Sequence, residues 1–325
     1  MAKKSDVIWN ELSLVLQAGK PKEIARHLHL LSKQQLHPLF RAALDAQILW
    51  NEGAIAQACE ELENAQKTRK LGPHEILMLG LILYEKEEFD EAEKQLDFAF
   101  EKGVLDSRLV LARAGVQIAK EKYTVARKIL HTSLKAEMNQ WRAWLLLGEV
   151  EILRKDLRAA ADAFLAVTRL APNFEPGWTH AAGVLVDLGY PERAAELLRR
   201  ICSVRPSFVA AQLAFAQVLQ NLGQFKEALH CLRTVGRYAM EPTMLMEIAE
   251  MMFKLQEYQD CANILNRAQE QAQHLPKLWF LRGELANAAG LEGRANAIQH
   301  YREALLRDRE FKPARERLDA LLAQI

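Results

Sequence analysis

A pair of residues, one small and one large and apolar, recurs along this chain every 34 positions. A small residue recurs at Ala58, Ala92, Ala126, Ala160, Ala194 and Ala228. Four positions after each of these lies a large one, at Leu62, Leu96, Leu130, Phe164, Leu198 and Leu232. Residues four apart lie on the same side of an α-helix. Each pair therefore predicts an amphipathic helix with one buried stripe.

A second helix is predicted in front of each of these helices. A third column with the same period holds only glycine and alanine, at Ala46, Gly80, Ala114, Gly148, Ala182 and Ala216. Two antiparallel helices approach closely where their side chains are small. The three columns together predict helical hairpins that repeat along the chain.

The stretch 141–174 carries the repeat most completely. Its marked positions are Trp144, Leu147, Gly148, Ala160, Phe164 and Pro172. These residue types at these offsets resemble the tetratricopeptide repeat. The resemblance implies an all-α fold, a right-handed α-solenoid of about nine helix-turn-helix repeats followed by a C-terminal capping helix.

The repeats are expected to form one superhelical domain over 5–325. Their expected bounds are 5–38, 39–72, 73–106, 107–140, 141–174, 175–208, 209–241, 242–275 and 276–311, with the capping helix at 312–325. The first repeat departs from the pattern, because Ile24 and Leu28 occupy its two columns. Terminal repeats of an array are often atypical. An atypical start and an amphipathic end suggest a complete array, although excision from a longer protein stays open.

Charge and composition exclude several classes of protein. The 325 residues include 43 Lys and Arg against 42 Asp and Glu, so no basic excess favours a nucleic-acid partner. The four cysteines form no CxxC pair, which is typical of core residues in a reducing compartment. No signal peptide and no membrane-spanning run are found. The expected location is the cytoplasm.

No catalytic motif is present in the sequence. We find no glycine-rich phosphate loop, HExxH, GxSxG or dinucleotide fingerprint. His27, His29 and His37 are close in sequence, but their spacing suits no metal site on one helix face. We therefore predict no catalytic residues, no cofactor and no metal site, and a protein that is not an enzyme.

The resemblance also implies where a partner would bind. In this family the first helix of each repeat lines a concave groove, with positions two, five, nine, twelve and thirteen directed into it. The candidate groove residues are Trp9, Phe40, Gln47, Trp50, Asn51, Leu81, Tyr84, Arg108, Arg142, Glu149, Asp187, Gln217, Asn221, Glu250, Phe253 and Glu284. The early members are apolar and aromatic, whereas several later ones are acidic.

The leading hypothesis is a scaffold or adaptor that holds an unidentified protein or peptide partner, as an amphipathic helix or extended segment, in this groove. Acidic groove residues would orient a basic part of the partner. Alternatively, some aromatic residues pack between repeats or under a terminal extension. No repeat has lysine at position five with asparagine at position nine, so a two-carboxylate clamp for chaperone C-termini is disfavoured.

Two other functions stay open. The chain could be a targeting or regulatory region of a larger enzyme, such as a glycosyltransferase or sulfotransferase. It could also assemble end to end through its repeats, although a polar C-terminal cap argues against this. The sequence leaves the oligomeric state undetermined.

Overall fold

The structure is a computed structural model that describes residues 8–9, 11–12, 15–16, 21–32, 38–104, 106–290 and 293–323. Every regular element in these ranges is a helix. The chain divides into two compact halves, Met1–Leu170 and Ala171–Ile325. We refer to these as the N-terminal half and the C-terminal half.

The N-terminal half contains helical residues at 8–9, 11–12 and 15–16, followed by nine helices. These are α1 (Pro21–Ser32), α2 (Pro38–Asn51), α3 (Ile55–Thr68), α4 (Pro73–Glu85), α5 (Phe89–Glu101), α6 (Ser107–Ala119), α7 (Tyr123–Ala136), α8 (Trp141–Leu153) and α9 (Leu157–Leu170). From α2 onward, each even-numbered helix opens a repeat and the next helix closes it. First helices also pack on one another, α2 on α4, α4 on α6 and α6 on α8.

The C-terminal half continues the same arrangement with nine further helices in its described part. These are α10 (Glu175–Asp187), α11 (Pro191–Val204), α12 (Val209–Asn221), α13 (Phe225–Val235), α14 (Pro242–Lys254), α15 (Tyr258–Ala272), α16 (Pro276–Ala288), α17 (Arg294–Arg307) and α18 (Lys312–Leu322). First helices again pack in succession, α10 on α12 and α14 on α16. The prediction of an all-α solenoid fold is confirmed, and a single superhelical domain stays a prediction.

The two helices of a repeat pack closely where a small residue on the first helix faces a large residue on the second. All six alanines of the small column and all six large residues four positions later are buried. A Cβ atom on Gly148 would lie 2.6 Å from Cε1 of Phe164, so only glycine fits beside this ring. Gly283 faces Tyr301 in the same way. Where the large residue is Leu130, the helix crossing holds Ala114 instead.

The turn between the paired helices is also repeated. In the repeat that contains α4 and α5, the N–H of Glu88 donates to the carbonyl of Leu83 at 2.9 Å, which is the six-to-one bond of a Schellman motif. One residue of each hairpin connection from α2–α3 to α16–α17 has positive φ, and these residues are Gly53, Glu87, Glu121, Lys155, Gly189, Gly223, Gln256 and Gly290. Glycine takes this conformation without strain, but side chains with a Cβ do not.

A tryptophan at position four of three repeats joins the repeat to the loop before it. Trp144 donates its Nε1–H to the carbonyl of Met138 at 2.8 Å, and Trp279 donates to that of Gln273 at 2.9 Å. Trp178 makes the equivalent bond to Pro172 at 3.0 Å. The same indole that fills the core thus satisfies a carbonyl left unpaired in the loop.

The second helix of the seventh repeat, α13, has only 11 residues. It ends at Val235, and Arg267 of α15 reaches back to the connection. The guanidinium donates to the carbonyls of Gly236 and, at 3.1 Å, Ala239. One arginine therefore holds the residues that link α13 to α14.

The four cysteines are buried and free. Burial raises the pKa of Cys202 to about 12 and that of Cys261 to about 11. These thiols act as core residues, as the sequence predicts. In the described part of the chain, no helix is long and apolar enough to cross a membrane.

Candidate functional site

The candidate residues belong to what we call the first-helix face, meaning positions two, five, nine, twelve and thirteen of the first helices. In the N-terminal half, position twelve holds Trp50, Tyr84, Ile118 and Ile152, on α2, α4, α6 and α8. The first three are half-buried and Ile152 is 40% exposed. Because these helices pack in succession, the four side chains follow one another as an apolar column. We call it the position-twelve column.

Other candidates in this half are covered rather than open. Gln47 and Leu81 at position nine are buried, as are Ala43 and Leu77 at position five. Trp9 has no exposed surface at all. Trp9 belongs to the N-terminal segment and is packed against other parts of the chain, so it presents no surface to solvent. The side chain of Phe40 lies outside the described part of the structure.

Trp9 lies in a polar cluster at the start of α6. Its Nε1–H donates to Oδ2 of Asp106 at 3.1 Å, and its ring centre is 5.0 Å from that of His74 on α4. Arg108 holds the same carboxylate, with Nη2 2.7 Å from Oδ2, and its Nη1 donates to Gln47 at 2.6 Å. The cluster joins α2, α4 and α6 to the N-terminal segment.

Tyr84, a member of the position-twelve column, also contacts the helix beside it. Its hydroxyl rests against Gly115 of α6, where a Cβ atom would collide with it. Burial raises the pKa of Tyr84, and the nearby carboxylates of Glu85 and Glu149 raise it further. The phenol therefore stays neutral at physiological pH and presents an apolar ring edge together with a hydroxyl.

Arg142, at position two of α8, is a half-buried cation. Its guanidinium lies 4.5 Å from the ring centre of Trp141, and burial lowers its pKa. No ion pair among the described residues includes Arg142, and no carboxylate contributes to its pKa shift. Glu149 and Asn51, the remaining candidates of this half, are exposed.

The C-terminal half presents a different, more polar face. Asp187, Gln217 and Asn221 are exposed, and the amide of Gln217 donates to Asn221 at 3.2 Å. Phe253 at position twelve is half-buried, with its ring 5.6 Å from that of Tyr258. An apolar column like that of the N-terminal half does not continue through these residues.

The acidic candidates of this half already have cationic neighbours. Glu250 lies 3.0 Å from Nζ of Lys254 and 2.9 Å from that of Lys277. Burial raises the pKa of Glu250, but the bonds from the two lysines outweigh it and the net pKa is lowered. Glu284 accepts from Arg317 at 3.0 Å and from the hydroxyl of Tyr301 at 2.6 Å. Both charges are therefore balanced within the chain.

The sequence reasoning missed Asp106. Asp106 caps α6 by accepting from the N–H of Arg108 at 2.8 Å, and an acidic residue before Ser107 at a repeat start is a recognisable N-cap signal. Nothing local in the sequence indicates that Trp9 would reach it. Among the described residues, no group of three or more His, Cys, Asp or Glu side chains could hold a metal ion.

Two family models match parts of the chain. One, described as "Tetratricopeptide repeat", matches residues 77–130 and 111–173, the region of the helix pairs from α4 to α9. This is a tetratricopeptide-repeat protein. The other, described as "Anaphase-promoting complex, cyclosome, subunit 3", matches residues 187–268. The chain has the architecture of a tetratricopeptide-type protein-interaction scaffold.

Individual relatives resemble this tetratricopeptide-repeat chain at low identity. The peroxisomal targeting signal receptor of Saccharomyces cerevisiae is 32% identical over 91 residues, which make up 28% of this chain and 15% of the receptor. A tetratricopeptide repeat protein from Parabacteroides merdae has a TM-score of 0.49 at 14% identity, over 77% of this chain and 98% of that one. The APC/C hetero-tetramer Cut9–Hcn1 gives 0.48 at 14% identity, over 92% and 59%.

Proposed function

We propose that this chain is a non-enzymatic adaptor of the cytoplasm that holds a peptide or helical segment of a protein partner on the first-helix face of its N-terminal half. The observation that carries the proposal is the position-twelve column. Four apolar side chains on successive helices retain accessible surface, and a row of apolar groups on a soluble protein favours an interaction surface. The name of the yeast receptor, which denotes recognition of a targeting signal, supports the same class of function.

The charges refine the partner's chemistry. Glu250 and Glu284 are balanced by lysine and arginine of this chain, so we no longer expect them to select a basic segment. Arg142 lies on α8, the same helix as Ile152, and has no carboxylate paired with it among the described residues. A carboxylate of the partner would gain a charge-assisted hydrogen bond there. The preferred partner is an apolar segment with an acidic residue near one end.

Site-specific crosslinking tests this function. A photoreactive phenylalanine derivative placed at Ile152 should crosslink to a partner in extracts of the native host, and the same derivative at Phe100 is the control. Phe100 is 49% exposed but lies on the second helix α5, away from the first-helix face. The double variant Trp50→Ala/Tyr84→Ala, with its fold checked by circular dichroism, should abolish the crosslink at Ile152. Equal crosslinking from both sites, or an unchanged crosslink in the double variant, would refute the proposal.

A further inference from the structure

The N-terminal helical residues contact repeats that a first repeat would not reach. A helix stacked ahead of α2 would touch α2, and the start of α6 would be two helix spacings further on, about 16–20 Å away. Trp9 nevertheless donates a hydrogen bond to Asp106, 97 residues later, and its ring contacts that of His74 of α4 at a tilt of 50°. Trp9 therefore lies across the first helices α4 and α6.

Trp9 and a second N-terminal residue share a buried apolar cluster with inward positions of α4. Trp9 and Leu12 each have no exposed surface and belong to the same apolar cluster as Leu77 and Leu81. The last two occupy positions five and nine of α4, which the family resemblance directs toward a partner. These inward positions thus share one buried apolar cluster with the chain's own Trp9 and Leu12 and are closed to solvent.

We infer that the segment bearing Trp9 and Leu12 is an internal ligand of the first-helix face. A partner that uses this part of the face is an amphipathic helix with an indole at one position and leucine three residues later, and it competes with the segment. The inference deepens the proposed function, on which its regulatory meaning rests. Occupation of the face by the chain itself would lower the apparent affinity for such a partner.

The contacts of Asp106 make the segment removable. Besides Trp9, this carboxylate accepts from the backbone N–H of Arg108 at 2.8 Å and from its guanidinium at 2.7 Å. The same arginine keeps its bond to Gln47. A buried charge without a partner is costly. Departure of the indole would not create one, because Arg108 still pairs with the carboxylate. The receiving site is preformed, and Oδ2 of Asp106 offers an acceptor that an indole N–H reaches.

A peptide probe tests the inference with the full chain. The probe is a fluorescein-labelled synthetic peptide with the sequence of residues 5–20, and its binding is followed by fluorescence anisotropy. The variant Trp9→Ala should bind the probe at least about tenfold more tightly than the wild-type chain, because the internal competitor is weakened. A probe with alanine in place of its tryptophan should bind both the wild-type and the Trp9→Ala chain more weakly than the wild-type probe does. The wild-type probe should also lose affinity for a Trp9→Ala/Asp106→Asn chain.

A second variant guards against misfolding. Trp9→Phe keeps most of the buried volume but removes the N–H that bonds to Asp106, so the chain should fold and bind the probe with an affinity between those of the wild type and Trp9→Ala. Equal affinity of all three folded chains for the probe, or equal binding of the two probes, would overturn the inference. The Ile152 crosslink reports on the proposed function separately, because it depends on the position-twelve column and not on the Trp9 site.

Discussion

The pairing of Gly148 with Phe164 provides the sharpest test of how these repeats are packed. In Gly148→Ala, the new Cβ would lie 2.6, 2.7 and 2.9 Å from Cε1, Cζ and Cδ1 of Phe164. Carbon atoms normally approach to about 3.5–4.0 Å, so the buried ring must move by roughly 1 Å. Overpacking of this kind costs about 1–3 kcal/mol. Alanine regains about 0.5–1 kcal/mol over glycine within a helix, which leaves a net loss of roughly 0–2.5 kcal/mol.

The compensating change is Phe164→Leu, which reproduces the Ala114 and Leu130 pair of the preceding repeat. Alone, it removes part of a fully buried ring and should cost about 1–2 kcal/mol. In the double variant the leucine makes room for the alanine and the alanine partly fills the space. We expect a favourable coupling energy of at least about 1 kcal/mol between the two substitutions.

The assay is urea unfolding followed by circular dichroism, with hydrogen exchange of α8 and α9 as a local measure. The local measure is needed because repeat arrays do not always unfold in one step. Gly183→Ala on α10 is the matched control, since a Cβ there meets nothing within 4 Å and should stabilise the protein by about 0.5–1 kcal/mol. A Gly148→Ala variant stabilised as much as Gly183→Ala, or strictly additive free energies in the double variant, would refute the packing argument.

Four further results are expected. Burial and the charge of Arg282 lower the pKa of His300, so the unfolded state binds more protons than the folded state below about pH 6.5. The free energy of unfolding should therefore decrease as the pH is lowered through this range, and it should decrease less in His300→Gln. Glu151 is buried between Arg127 and Arg154, at 2.7 and 2.5 Å. The substitution Glu151→Gln should therefore lower the free energy of unfolding, measured in urea, by about 1–2 kcal/mol. Cys202, with its pKa raised to about 12 by burial, should resist iodoacetamide until urea unfolds the chain, as followed by mass spectrometry. Lys155→Gly should stabilise the chain by about 1 kcal/mol, because φ is 64° there.

Each of these expectations has a control. The exposed His230→Gln should leave the pH dependence unchanged, and an equal effect would contradict the role of His300. Exposed Glu196→Gln should alter stability by less than about 0.5 kcal/mol. Rapid alkylation of Cys202 in native buffer would contradict its burial. Lys155→Ala should bring no gain, because alanine has the same Cβ conflict at positive φ.

The sequence predicts the hairpins well because their determinants are local and repeated. Ala160 and Phe164 lie four residues apart, and a glycine or alanine recurs at the offset of Gly148 from one repeat to the next. The partner of each helix is its neighbour in the chain, so periodicity alone identifies the contact. Glycine at the crossing faces the aromatic residues Phe164 and Tyr301 in two repeats, and Leu96 faces Gly80 in another.

The candidate site is less predictable because its contacts join distant residues. Trp9 and Asp106 are 97 positions apart, and neither is part of a repeated column. The cations that balance Glu250 and Glu284 include Lys277 and Arg317, each on a later helix than the acid it pairs with. Groove residues assigned from their position within the repeat are assigned to one side of a helix. The assignment does not say which other side chains pack on that side.

Half of the described hairpin turns place a side chain where glycine would be relaxed. Glu87, Glu121, Lys155 and Gln256 have φ of 62°, 57°, 64° and 62°. These residues lie in connections, outside the helix crossings and outside the first-helix face. Heat tolerance and partner choice are therefore separable properties of this chain. Related chains could differ widely in working temperature through these turns alone while keeping the same binding surface.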